Sequence, residues 1–296
     1  MIGSRRVWRN RGLLLGAALA LLAGVASCGG PQGTAARSTL DRIMATRTLR
    51  IGMNPGYAPF EMIDSTGGMM GFDVDVAHFL AGLVGQDVKV QIVKSDWDPI
   101  IANLNADKFD MIMSGMTRTP QRALRCAFTN PYFTTGQTLL INSAKHPSGS
   151  VKSVADLDRP GMVVATRLGT TGEIAARKAF HRASIKTMDT EEDAALEVQA
   201  GRADVMVYDQ PYVAITAKQS AGRCWAILTP FTHEELAIAV RRDDLELCNW
   251  LNVALEELRA TGTWDSLYGK WFVEMPWLRA AGDTARAAGA SAKPTP

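Results

Sequence analysis

Twice along this chain, short apolar strands alternate with helix-length segments, and that alternation restricts the fold more than any other feature. Thr48–Met53 reads as a strand, Phe72–Leu83 as a helix N-capped by Asp73, and Val88–Val93 as a strand. Trp97–Asn105 then reads as a helix and Phe109–Met113 as a strand. Such a β-α-β-α-β run implies a parallel sheet with right-handed crossovers. The pattern restarts with strand Gln137–Asn142, a polar turn at His146–Gly149, strand Val163–Thr166 and helix Thr171–Arg182. Strand Ile185–Met188, helix Thr190–Gly201 and strand Val205–Tyr208 follow. A last block, strand Leu236–Val240 with helices Asp243–Arg259 and Thr263–Phe272, has no complete sheet and must pack back onto the first unit. The expected class is α/β, with two lobes, each around a central sheet, crossed near Thr134–Gly136 and Pro230–Thr232. Lobe 1 takes residues 40–135 and 231–278, and lobe 2 takes 136–230. At 296 residues and 47% hydrophobic content, the chain is long enough to bury two cores.

The first 27 residues read as a secretion signal. Arg5, Arg6, Arg9 and Arg11 make a positive n-region, Leu13–Val25 an apolar h-region too short to span a membrane comfortably, and Val25-Ala26-Ser27-Cys28 a cleavage site. The tetrapeptide resembles a bacterial lipobox, in which the cysteine becomes the lipidated first residue; an ordinary signal peptidase site near Ala26 is the alternative. Ser4-Arg5-Arg6 is similar to a twin-arginine signal, though Trp8 and Arg9 depart from it. Residues 28–39 read as a flexible tether and residues 279–296 as a disordered tail. Losing residues 1–27 removes four arginines and no acid, which takes the formal charge from +2 to −2 and leaves no basic surface for nucleic acid. Of the remaining cysteines, Cys126, Cys224 and Cys248, the last two could pair or be buried as small hydrophobes. No metal-ligand spacing joins them to the four histidines, and no cofactor is expected.

The stretch from Asp110 to Tyr132 carries the densest polar chemistry. The apolar run Met111–Met113 empties into Ser114, Gly115 and Thr117, and Arg122 follows. Small hydroxyl residues and glycine bring backbone groups close to a ligand, and an arginine fork matches a carboxylate. The plainer reading is a helix capped by Thr119, with Pro120 at its first position and Arg122 facing solvent. A second irregular segment, Asn54-Pro55-Gly56-Tyr57-Ala58-Pro59-Phe60-Glu61, follows the first strand, where open α/β sheets place ligands.

Taken in order, LRIGMNPGYAPFE, GFDVDVAHFLA, DWDPIIANLNADKFDMIMSGMTRTPQR, FTNPYF, LGTTGE, AGRADVMVYDQPYVA and LRATGTWDSLYGKWF resemble solute-binding protein family 3 over about residues 40–273. These are the extracytoplasmic amino-acid receptors of ABC importers. The resemblance implies a periplasmic-binding-protein-like Venus flytrap, two lobes joined by two hinge strands that close on a ligand. It implies that Arg122 grips the α-carboxylate, that Ser114, the Gly115 backbone and Thr117 hydrogen-bond carboxylate and amine, and that Thr170 and Thr171 open a helix whose N-terminus favours the carboxylate. Asp209 matches the partner of the α-ammonium, and Asn54, Tyr57, Phe60 and Trp97 match positions around the ligand side chain. Read without the family, Thr170, Thr171 and Asp209 are equally helix caps, and Tyr57 and Trp97 core aromatics. Asn54 stands where receptors for basic amino acids carry Asp, and Arg118 where many relatives are apolar, which favours a polar uncharged or acidic amino acid. The implied partners are that amino acid, the transmembrane subunits of a permease and, through Cys28, the extracytoplasmic face of the membrane; a monomer is expected. Two alternatives remain. The chain also resembles periplasmic cyclohexadienyl dehydratases, in which Glu173 would be the general acid acting on prephenate or arogenate. A ligand sensor for a separate signalling partner is the other.

Overall fold

The computed structural model describes residues 38–278. The expected signal peptide, Cys28, the tail and all but the last two residues of the tether lie outside them. A helix that the sequence pattern does not announce, α1 (Thr39–Thr46), leads into β1 (Thr48–Met53). The short hairpin β2 (Met62–Ile63) and β3 (Met69–Met70) precedes α2 (Phe72–Val84), β4 (Lys89–Lys94), α3 (Ile100–Asn105) and β5 (Met111–Ile112). Next come α4 (Pro120–Ala123), β6 (Ala127–Phe128) and β7 (Phe133–Thr135). The second unit holds β8 (Gln137–Asn142), β9 (Val163–Arg167), α5 (Thr171–Ala179), β10 (Ser184–Met188), α6 (Glu191–Gln199), β11 (Val205–Asp209), α7 (Gln210–Gln219) and β12 (Cys224–Ile227). β13 (Glu234–Leu236), β14 (Ala239–Val240), α8 (Leu245–Ala260) and α9 (Thr263–Tyr268) close the fold, the last running into a π-helical turn at Gly269–Glu274.

Two five-stranded sheets result, ordered β4-β1-β5-β14-β6 and β10-β9-β11-β8-β12. In each, one strand opposes the rest: β14 pairs antiparallel with β5 and β6, and β8 with β11 and β12. Strand β14 comes from the return segment, so the last block does complete the first sheet. The two crossings pair with each other as β7 and β13, with Phe133 opposite Leu236 and Thr135 opposite Glu234, giving two lobes joined by two hinge strands. The expected strand Leu236–Val240 is split at this point. The Ala237 N–H turns back to the Met116 carbonyl and the Ile238 N–H to the Thr129 hydroxyl, which moves the chain from the hinge ladder to the first sheet.

Each sheet buries continuous apolar runs, as parallel strands covered on both faces require. Ile51, Met53, Leu80 and Met111 are sealed in the first lobe, and Ile141, Val164, Val205 and Val207 in the second. Cys224 on β12 and Cys248 on α8 are both buried free thiols, Cys248 lying against the Phe128 carbonyl of the first sheet. Asp73 does not cap α2. Gly71 holds that position at φ 145°, where a side chain would collide with the Phe60 carbonyl, and the Asp73 carboxylate turns inward instead.

Candidate functional site

Strands β1, β5, β9 and β11 send their carboxyl ends toward one cleft, where loop and backbone groups are not consumed by the sheet. Asn54 follows β1, Ser114 follows β5, and Arg167 and Asp209 end β9 and β11. All four line a single cavity, closed down to about 20 Å³, room for little more than one water molecule. Tyr57, Trp97, Gly115, Thr117, Arg122, Thr170 and Thr171 line it as well. Phe60, expected there, does not: it is fully buried behind Tyr57, the two rings stacked with centroids 4.7 Å apart, and it packs edge-on to Phe133.

Local chemistry explains the positions on the first lobe. Thr119 caps α4 by accepting the Arg122 N–H at 3.2 Å, and Pro120 opens it. That short turn throws the Arg122 side chain back across the loop, where Nη1 donates to the Thr117 carbonyl at 2.7 Å and the guanidinium lies 5.1 Å from the Trp97 ring centroid. Arg122 therefore faces the cavity rather than solvent, and burial lowers its pKa. Gly115 takes φ 52°, and a β-carbon there would collide with the Tyr57 ring. Its N–H donates to Asp73 Oδ2 at 3.0 Å, so this backbone donor is already engaged. The Ser114 hydroxyl donates to Glu61 Oε1 at 2.6 Å while accepting the Asn54 N–H at 2.9 Å; it has acceptor capacity left for a ligand and no donor.

Beneath this loop lies a carboxyl pair that the sequence did not single out. Glu61 and Asp73 are both fully buried and interact with each other, and Glu61 Oε2 and Asp73 Oδ1 have no other hydrogen-bond partner among the described residues. Burial, with Asp73 alongside, pushes Glu61 well above the carboxylate range. Burial lifts Asp73 to about 6 although the Gly115 N–H and the Tyr132 hydroxyl pull it down. One proton shared between the two carboxyls accounts for this arrangement.

The second lobe faces it with β9, β11 and the start of α5. Thr170 is the N-cap of α5: its hydroxyl accepts the Glu173 N–H at 3.3 Å and donates to the Arg167 carbonyl at 2.8 Å. The N–H groups of Thr171 and Gly172 in that first turn have no carbonyl within the helix to reach, and both residues line the cavity. Asp209 occupies the N-cap position of α7 without capping it. Its Oδ2 accepts the Tyr57 hydroxyl at 2.6 Å and its Oδ1 accepts Gln137 Nε2 at 2.5 Å. Burial raises Asp209 to about 7 against those two hydrogen bonds. Glu173 is turned away, with Oε2 on the Gly169 N–H at 2.8 Å and Oε1 paired with Arg177 at 2.9 Å. Arg118 pairs with Glu235 at 2.5 Å on the surface and does not line the cavity.

Sequence reasoning overlooked Glu61, Gln137, Arg167, Gly172 and Tyr208 on the cavity wall. A signal existed for two of them. Arg167 is the one charge in the strand Val163–Arg167, closing it just before the Gly169-Thr170-Thr171 turn, and Gln137 is the polar first residue of a strand buried throughout.

The profile of the bacterial extracellular solute-binding proteins, family 3, matches residues 49–274. A protein of Neisseria gonorrhoeae assigned to histidine binding is 31% identical over 265 residues, covering 88% of this chain and 95% of the relative. Among solved structures, an ancestral amino acid-binding protein described as a precursor of cyclohexadienyl dehydratase is 44% identical with TM-score 0.74, across 79% of this chain and all of its own. A binding component assigned to an ABC transporter of Wolinella succinogenes, complexed with lysine, is 41% identical with TM-score 0.74, across 78% of this chain and 98% of its own. Profile, relative and solved structures agree with the two-lobed fold and its cleft, and the chain belongs to the bacterial extracellular solute-binding proteins, family 3.

Proposed function

We propose that this protein is an extracytoplasmic receptor that closes its lobes on one amino acid and delivers it to the transmembrane subunits of an ABC importer. The observation that carries the reading is the placement of Arg122 from one lobe and Asp209 from the other on the wall of the same cavity. A free amino acid presents a carboxylate and an ammonium on one carbon. Arg122 and the Thr171 and Gly172 N–H groups suit the first, and Asp209 with the spare Ser114 acceptor suits the second. Because the two charges sit on different lobes, binding and closure become one event. Lobe 1 is then residues 40–135 and 231–278, lobe 2 residues 136–230, and lipidated Cys28 the anchor that keeps the receptor at the membrane.

The favoured ligand class is a polar uncharged or acidic amino acid. Asn54 is neutral, and burial beside Asp73 favours the protonated form of the Glu61 carboxyl on the cavity wall. The pair's one negative charge is left on Asp73, where the Gly115 N–H and the Tyr132 hydroxyl engage it, so neither Asn54 nor Glu61 offers a direct counter-charge to a cationic side chain. The dehydratase alternative lacks its acid at the cavity, since Glu173 serves the Gly169 N–H and Arg177. Thermal-shift screening of the purified protein against the twenty amino acids, prephenate and arogenate tests the reading. A ligand at 100 times its Kd stabilises by about 2.7 kcal/mol, well within the resolution of such a scan. Shifts with one or a few amino acids support the receptor, whereas a shift confined to prephenate or arogenate, with turnover, overturns it.

A further inference from the structure

Once Arg122, Asp209 and the α5 N-terminus are assigned to the α-carbon groups of a ligand, one charged side chain on the cavity wall has no role. Arg167 ends β9 and is only 5% exposed. Its Nη1 donates to Glu191 Oε2 at 2.5 Å and its Nη2 to Asn54 Oδ1 at 2.8 Å, and its guanidinium lies 5.6 Å from the Trp97 ring centroid, with the Tyr208 hydroxyl alongside. Its Nε has no hydrogen-bond partner among the described residues. We propose that Arg167 reads the ligand's side chain, and that this side chain ends in an oxygen acceptor, a carboxylate or a carboxamide. The inference rests on the receptor reading and deepens it.

Three features support the assignment. A buried N–H left unpaired is costly and uncommon, and on a cavity wall it points to an acceptor supplied by what the cavity takes in. The Nε and Nη donors of one guanidinium edge form the fork that fits a carboxylate, or the oxygen of an amide, at a fixed angle. The surroundings also hold this arginine rigidly. Asn54, whose own Nδ2 donates to the Ser95 carbonyl at 2.9 Å, presents its oxygen to Arg167 and so orients the guanidinium rather than reading the ligand itself. Glu191 Oε2 is consumed by Arg167, so a cationic side chain arriving at this end would meet a guanidinium of like charge before the unpartnered oxygen of that carboxylate, Glu191 Oε1, on the outer side of the pair. An outer cavity shares Asn54, Trp97 and Arg167 with the inner one and carries Asp96, Asp98, Asp189 and Glu192. A long cationic side chain passing Arg167 to reach those acids is the outcome the experiment must distinguish.

The test compares calorimetric affinities of the wild-type protein, Arg167→Lys, and the double variant Arg167→Met with Glu191→Gln, which avoids leaving Glu191 buried and unpaired. The ligands are Gln, Glu, Asn and Asp against Lys, Arg and His, with Ala reporting the α-carbon contacts alone. The expected result is wild-type preference for the first group, a loss of tenfold or more for that group in the double variant, a smaller loss in Arg167→Lys, and little change for Ala. Preference of the wild type for Lys, Arg or His, undiminished in the double variant, overturns the role of Arg167 and leaves the receptor reading standing. An equal loss for every ligand, Ala included, also overturns it, since Arg167 would then only support the fold. Binding of no amino acid by the wild type overturns both readings.

Discussion

Amino-acid affinity should fall as pH drops below about 7, and Asp209 should be the cause. Its carboxyl is buried with an elevated pKa of about 7, while the Tyr57 hydroxyl and Gln137 amide each occupy one oxygen. A ligand ammonium beside it is stabilised by the ionised form only, so at lower pH the carboxyl must first release a proton. Each pH unit below the pKa then costs about 1.4 kcal/mol, or tenfold in affinity, until the pKa of the complex is reached. Between about pH 7 and pH 5 the loss should approach roughly 50-fold, since about half the carboxyl is ionised at the upper end and about 1% at the lower. Stability should move the other way. A carboxyl whose folded pKa is raised binds its proton more tightly in the folded state, so Asp209 imposes no penalty below the ordinary carboxylate range. It becomes progressively destabilising as pH rises from there through about 7. Titration calorimetry across this range, paired with thermal unfolding without added ligand, reads both signs. Asp209→Asn should flatten the affinity profile and weaken binding tenfold or more at neutral pH while sparing the fold. A wild-type affinity that stays level across the range refutes the argument. A slope that persists in Asp209→Asn assigns it to another group, for which the Glu61–Asp73 pair is the nearest source.

Other perturbations have equally definite outcomes. Arg122→Ala should abolish measurable binding, because a charged carboxylate hydrogen bond lost in a buried site costs about 3–5 kcal/mol; micromolar affinity retained in calorimetry would exclude Arg122 as the anchor. Gly115→Ala forces a side chain onto a left-handed backbone and into the Tyr57 ring. It should cost about 2–4 kcal/mol in urea unfolding, and a variant of wild-type stability would show that the loop yields. Glu61→Gln should fold normally in mild acid and exceed the wild type in stability under alkaline conditions. There the buried, raised carboxyl of the wild type must ionise and the amide need not, and unchanged relative stability across pH would contradict a shared proton.

Local patterns in the chain were sufficient for much of the architecture. The apolar runs of Thr48–Met53 and Gln137–Asn142 appear in the structure as the strands β1 and β8 with the same ends, and Thr119-Pro120 opens a helix as its cap chemistry demands. These outcomes depend on backbone sterics and hydrogen bonds spanning a few residues, which a linear pattern records. Asp73 shows where such reasoning stops. By composition it is a good cap, yet the backbone bonds Phe72 N–H to Pro59 O and Asp73 N–H to Phe60 O begin the helix at Gly71, and the carboxylate is taken by Gly115 and Tyr132 from more than 40 positions away. Phe60 is similar: its place in the loop suggested the cavity, and packing against Phe133 put it in the core. Motif residues such as Arg122 and Asp209 could be named from the sequence. Their charge states, the commitment of Ser114 and Gly115 to buried carboxyls, and the joining of Arg167 to Asn54 across 113 positions could not. Those properties arise from burial and through-space contact, within the first lobe for Ser114 and Gly115 and across the cleft for Arg167 and Asp209, which come into being only when the chain is packed.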